Sequence, residues 1–160
     1  MIGKKFDKKN YDLRDYSDTA KWCNENNAMI VDKGDFYEVV EIPAPSLEEV
    51  KTAKINELKC IRDFEEVEPV QTDKGLFDYD DKSRDRLAIA RQALTDAGGG
   101  TIVWTTADNQ RVEMGITDFA TINGAAAVRS NALHVKYNDL KTRVNEAQTV
   151  EEVEAVVWGK

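Results

Sequence analysis

The side chains that could do chemistry are few and poorly spaced for it. His134 is the one histidine in the chain, with Ser130 four residues before it. A nucleophile–base pair needs a Ser or Cys aimed at the imidazole and a third group that orients the ring. The sequence supplies no such third group, so His134 is expected to be structural or at the surface. Cys23 and Cys60 lie far apart in stretches that read as helices. They are expected to be small buried hydrophobes, and with a single histidine they leave too few of the usual ligands for zinc. Asp78, Asp80 and Asp81 could offer oxygen ligands to a divalent cation, because alternate strand residues share a face. The calcium-loop spacing is missing, and a helix cap with a solvated turn accounts for all three. Glu65, Glu66 and Glu68 carry the right groups for acid–base work, but they sit at a charged helix end and are expected to be solvent exposed. Gly98-Gly99-Gly100 precedes a strand, whereas a phosphate cradle opens a helix, so the triplet reads as a stop and a hinge. No catalytic residue, no metal ligand and no cofactor site is expected, and the chain reads as no enzyme.

Charge narrows the partners. Thirty Asp and Glu stand against 22 Lys and Arg in 160 residues, a net charge of -8. A phosphate backbone would be repelled unless the basic residues clustered, and they do not, so no nucleic acid is expected. The sequence has no run of eighteen apolar residues, and Met1 to Lys9 is polar and charged. Neither a membrane span nor a leader is expected, and the chain is expected in the cytoplasm when made.

The elements that position these residues divide in two. Met1 to Lys9 is expected to be mobile, Asp15 to Asn27 reads as a short helix, and Ala28–Val31 with Phe36–Ile42 read as a hairpin turning at Asp32-Lys33-Gly34-Asp35. Pro43-Ala44-Pro45 then ends the strand, since neither proline can donate to a ladder. This spacer separates a small module, residues 1–43, from a main domain, residues 46–160.

Ser46-Leu47-Glu48-Glu49 is a capping box, and Leu47, Val50, Ile55, Leu58 and Ile61 share one face of the helix it opens, which should run to about Phe64. A second hairpin, Glu68–Val70 and Leu76–Tyr79, turns at Thr72-Asp73-Lys74-Gly75. Asp80 or Asp81 caps the next helix, with Leu87, Ala90, Leu94 and Ala97 in a stripe. A third hairpin, Thr101–Thr106 and Arg111–Met114, carries Trp104 and turns at Ala107-Asp108-Asn109-Gln110. Thr117 is expected to cap a long helix whose apolar series runs Phe119, Ile122, Ala126, Leu133, Tyr137, Leu140, Val144 and Ala147. That series reads as a packed core stripe, with a coiled-coil seam to another helix or subunit as the alternative. Thr149-Val150-Glu151-Glu152 opens a last helix through Val153, Val156, Val157 and Trp158. The fold class expected is α+β, β-hairpins packed on helices, with a long C-terminal helix and a small N-terminal helix-plus-hairpin module. Trp22, Trp104 and Trp158 are expected as core anchors, with one available as a contact.

Trp104-Thr105-Thr106-Ala107-Asp108-Asn109 and the segment from Arg129 to Lys141, approached through Arg62-Asp63, Phe77-Asp78-Tyr79-Asp80 and Arg84-Asp85-Arg86, resemble a family of bacteriophage tail proteins that contain a domain of unknown function. The resemblance covers roughly Leu47 to Trp158, and Trp22-Cys23-Asn24 with the Pro43–Ser46 spacer resembles the N-terminal parts of such proteins. It implies no active site. It implies a partner, the phage tail fibre or baseplate, met either as a tail-fibre assembly factor in the host cytoplasm or as a structural component of the virion tail. A cell-wall-directed enzyme ranks third. The residues expected to bind the partner are Trp104, Asp108 and Asn109 on the third hairpin and Leu133, Tyr137 and Leu140 on the long helix, where a homo-oligomer could also form.

Overall fold

The computed structural model describes residues 1–159 and resolves the chain into two compact units, Met1–Ser46 and the part from Leu47 onward. The division falls one residue after Pro43-Ala44-Pro45, between Ser46 and Leu47.

The first unit holds β1 (Lys5–Asp7), α1 (Leu13–Glu25), β2 (Ala28–Asp32) and β3 (Phe36–Glu41). Helix α1 begins two residues earlier than the apolar pattern suggests, because the Asp12 carboxylate accepts from the Arg14 N–H at 2.7 Å and caps it. The strands form an antiparallel sheet in the order β1-β3-β2. Gly34 takes φ +88° in the β2–β3 turn. The expected mobile start is corrected here: Lys5–Asp7 pairs with Phe36–Glu38, and Phe6 is only 4% exposed. Phe6 lies edge-on to Tyr16 at 5.2 Å and to Tyr11 at 6.1 Å, and Tyr37 completes the ring cluster. One phenylalanine among lysines looks polar in sequence; aromatic partners from three other segments decide its burial.

The second unit holds α2 (Leu47–Glu66), β4 (Val70–Thr72), β5 (Gly75–Phe77), α3 (Asp81–Asp96), β6 (Ile102–Thr105), β7 (Arg111–Met114), α4 (Ile116–Glu146) and α5 (Val150–Glu154). This is the α+β arrangement, with two separate two-stranded hairpins, β4-β5 and β6-β7. Asp80 caps α3 by accepting from the Ser83 N–H at 2.8 Å. The helix closes in a Schellman motif: Gly99 N–H donates to the Leu94 carbonyl at 2.9 Å and Gly98 N–H to that of Thr95 at 3.0 Å. Gly98 has φ +76°, so the glycine stop is a conformational requirement.

Helix α4 carries two cores on one stripe. Phe119, Ile122 and Ala126 join Val70, Phe77, Leu87, Ala90, Leu94 and Met114 under the hairpins and α3. Leu133, Tyr137, Leu140 and Val144 join Leu58 of α2, Val153 of α5, and Val156 and Trp158 beyond it. The expected last helix through Trp158 is corrected: α5 stops at Glu154, yet Trp158 docks without helix, its indole N–H donating to Glu65 Oε1 at 2.9 Å.

The cap of α4 is also corrected. Gly115, not Thr117, is the N-cap residue. The helix start is instead closed by Asp118, whose carboxylate accepts from the Gly115 N–H at 2.7 Å and from Lys74 Nζ at 2.8 Å. The Lys74 ammonium, then the Gly115 N–H, hold this carboxyl below the usual carboxylate range. One side chain thus fastens the β4–β5 turn to the helix start.

Leu58→Ala is expected to cost about 2–5 kcal/mol, read as a lower urea midpoint, because Leu58 is fully buried between helices. Leu140→Asp should abolish cooperative unfolding, whereas Val135→Asp, one turn away at 54% exposure, should leave it intact. Asp118→Asn is expected to cost on the order of 1 kcal/mol at neutral pH. The folded carboxyl has the lowered pKa, so its contribution is complete above about pH 4, the ordinary value, and fades as pH falls through the folded one. The gap between Asp118→Asn and the parent protein should therefore narrow in acid, measured by urea denaturation against pH.

Candidate functional site

The polar residues that suggested chemistry are occupied with structure. His134 is exposed, and its Nδ1 lies 2.9 Å from the backbone oxygen of Ser130, not from the hydroxyl. That hydroxyl donates instead to Glu66 Oε1 at 2.5 Å. Serine and histidine are adjacent without forming a proton-transfer pair. Cys23 is buried and Cys60 is exposed, which corrects the expectation that both are buried; neither is in a disulfide. Among the described residues, no group of three or more His, Cys, Asp or Glu side chains is placed to hold a metal ion. Asp80 is a cap, with its carboxyl held below the ordinary range chiefly by hydrogen bonds from Ser83, and Asp81 pairs with Arg84.

Glu65 and Glu66 were expected in solvent and are half-buried. Each is drawn in by a partner distant in sequence: Trp158 bonds Glu65, and Ser130 bonds Glu66. Arg129 completes the joint. Its guanidinium donates to the backbone oxygens of Glu66 at 2.9 Å and Pro69 at 3.1 Å, satisfying carbonyls at the end of α2. Beside it, Glu66, Tyr79, Arg84, Asn123 and Ser130 line a polar niche of about 190 Å³. Tyr79 Oη donates to Asn123 Oδ1 at 3.3 Å across it. Here carboxylate and hydroxyl are spent on each other, so the niche is a polar joint between α2, α3 and α4. Sequence gives no signal of it, since its members span residues 66 to 130.

The third hairpin is built as a rigid platform. Trp104 is half-buried, edge-on to Phe119 with ring centroids 5.3 Å apart, and covered by the Arg86 guanidinium at 5.5 Å. Buried Thr106 organises the turn: its hydroxyl bonds the exposed Asp108 carboxylate, and it accepts from the Gln110 N–H at 2.9 Å. Asn109 sits at φ +62°, the left-handed conformation that Asn tolerates. The Ala107 N–H donates to the Leu76 carbonyl at 2.8 Å, tying this turn to the second hairpin. Gly75 lies there at φ +133°, a conformation that favours glycine, and a Cβ added to it would sit 3.1 Å from Thr106 Cγ2. Asp108 and Asn109 are therefore turn residues first, with exposed side chains, and Trp104 is an anchor with one open edge.

Leu133, Tyr137 and Leu140 are corrected as contact residues. They are 8%, 8% and 7% exposed and pack with residues of α2, α5 and the segment after it, so the stripe is core in the folded chain. The accessible face of α4 is the opposite one. Thr121, Gly124, Ala125, Val128, Asn131, Ala132 and Val135 are all exposed and all uncharged, with Val128 73% exposed. Their three-and-four spacing was readable in sequence, but the stronger apolar series on the other side of the helix outweighed it.

Comparison with known proteins places residues 49–157 in one family model, described as a domain of unknown function (DUF4376). No curated protein and no solved structure matches the chain. With the match spanning nearly all of the second unit, the chain belongs to this family of domains of unknown function.

Proposed function

We propose that the protein is a non-enzymatic accessory protein of a bacteriophage or prophage tail, assisting tail-fibre assembly through protein–protein contacts. The observation that carries the contact reading is the outer face of α4. A chain in which 32% of residues are charged leaves seven successive outward positions, Thr121 to Val135, without a charge. Small residues at Gly124, Ala125 and Ala132 would let a partner's backbone approach closely, while Val128 and Val135 supply apolar area. On the third hairpin Val103 is also exposed, opposite Glu113, while Trp104 on the other face is half-buried.

The tail assignment is supported by the likeness of Trp104–Asn109 and Arg129–Lys141 to phage tail proteins. No helix among the described residues is long and apolar enough to cross a membrane. In this reading the protein works in the host cytoplasm during assembly and leaves the fibre once it is built.

Co-expression with the neighbouring fibre gene is expected to raise the yield of soluble, trimeric fibre, and Val128→Asp to remove that gain without changing the chain's own melting temperature. Unchanged fibre yield on deleting the protein would sink the assembly role. Mass spectrometry of purified virions should find it nearly absent; a fixed ratio to the fibre would make it a structural tail subunit instead.

A further inference from the structure

We infer that the N-terminal unit is a homodimerisation module in which the free edge of β2 pairs antiparallel with β2 of a second copy. The ladder geometry defines that edge. Ile42 N–H donates to the Asn27 carbonyl at 3.0 Å and Lys33 N–H to that of Phe36 at 2.9 Å, bracketing the β2–β3 pair. In an antiparallel ladder bonded pairs alternate, so Met29 and Val31 spend their backbone groups on β3. The backbone groups of Ala28, Ile30 and Asp32 therefore point away from the sheet. The opposite edge is the three-residue β1, which begins at Lys5 and is flanked by Lys4, Lys8 and Lys9, the short and lysine-guarded form that discourages pairing. β2 has five residues, Ala-Met-Ile-Val-Asp, with no proline, lysine or bulge to guard it.

Beside this edge runs a cleft of about 280 Å³, floored by Ala28, Met29 and Ile30 and walled by Tyr16, Ala20, Cys23 and Asn24 of α1. An added strand fills the open hydrogen bonds and brings its own helix along the cleft, where Ala20 and Cys23 leave room for it.

Three features suit a second copy as the added strand. Antiparallel pairing centred on Ile30 sets Met29 against Val31 of the other copy and Ala28 against Asp32, so no like charges face each other; parallel pairing would oppose Asp32 to itself. The unit carries seven basic against nine acidic side chains, net -2 of the chain's -8, so two copies meet where repulsion is least. The cleft itself, walled by Tyr16, Ala20, Cys23 and Asn24, holds no charged side chain that would select an oppositely charged partner. A single strand edge with two turns of helix is small beside the roughly 800 Å² per partner of a stable interface, so the dimer should depend on concentration.

Sedimentation velocity of the full chain up to millimolar concentration is expected to show a reversible monomer–dimer equilibrium. Ile30→Pro removes an outward N–H and leaves the β3 ladder its bonds; Asn24→Arg puts a charge into the cleft from an exposed position and spares the core. Each should weaken the dimer at least tenfold, with Asn24→Arg keeping the parent circular dichroism, and the Ile30 amide should exchange more slowly in the dimer. A monomer at every concentration, or a dimer that survives Asn24→Arg, overturns the inference. So does a dimer abolished by Val128→Asp, which would move the interface to α4. Fibre co-expression is a separate readout, so this result stands or falls independently of the tail reading.

Discussion

The second unit depends on the burial of one stripe of one helix. An isolated helix gains little stability from propensity alone, and α4 carries an exposed glycine at Gly124 that weakens it further. Its inward face compensates by serving two apolar clusters in series. The first takes Phe119, Ile122 and Ala126; the second takes Leu133, Tyr137, Leu140 and Val144. Between them, where the stripe would carry another apolar residue, stand Arg129 and Ser130. These two reach the end of α2 and bond Glu66, so the gap between the cores is a polar joint with fixed partners. Sliding α2 along α4 by one turn would part Ser130 from Glu66 and Arg129 from its carbonyls, leaving half-buried polar groups unpaired. Apolar burial supplies the stability of the pair, and the joint sets its register.

The hairpins serve this spine. Lys74 at the tip of the second hairpin meets Asp118 at the start of α4, while the third hairpin lays Trp104 across Phe119, the next residue. Two-stranded hairpins are marginal alone, and here each packs its inner side chains on helix. The turn of one is bonded to the strand of the other through Ala107 and Leu76, so the two hairpins hold each other as well.

The distribution of side chains across surface and interior separates stability from function. Residues with reactive groups, Ser130, Glu65, Glu66, Asp80 and Asp118, are engaged in caps and joints, and the large apolar side chains of α4 face inward. The longest open stretch without a charge is the outer face of α4. Such a surface suits recognition by shape and backbone approach.

Much of this architecture is local and was legible in the sequence. Asp80 and Thr149 as caps, the glycine stop after α3, the turns at Gly34 and Asn109 and the inward stripe of α4 follow from backbone preferences and periodicity within a few residues. The proline spacer marked the change of unit for the same reason. What only the tertiary structure decided involves partners far apart in the chain. Phe6 is buried because Tyr11, Tyr16 and Tyr37 converge on it, and Glu66 is drawn in because Ser130 lies across from it. Asp118 takes over the role expected of Thr117 because Lys74 arrives beside it. Above all, sequence showed that Leu133, Tyr137 and Leu140 share a face, but periodicity is the same whether a stripe meets another chain or its own. The packing of α2 and α5 against that face made it core, and left the opposite side of the helix exposed.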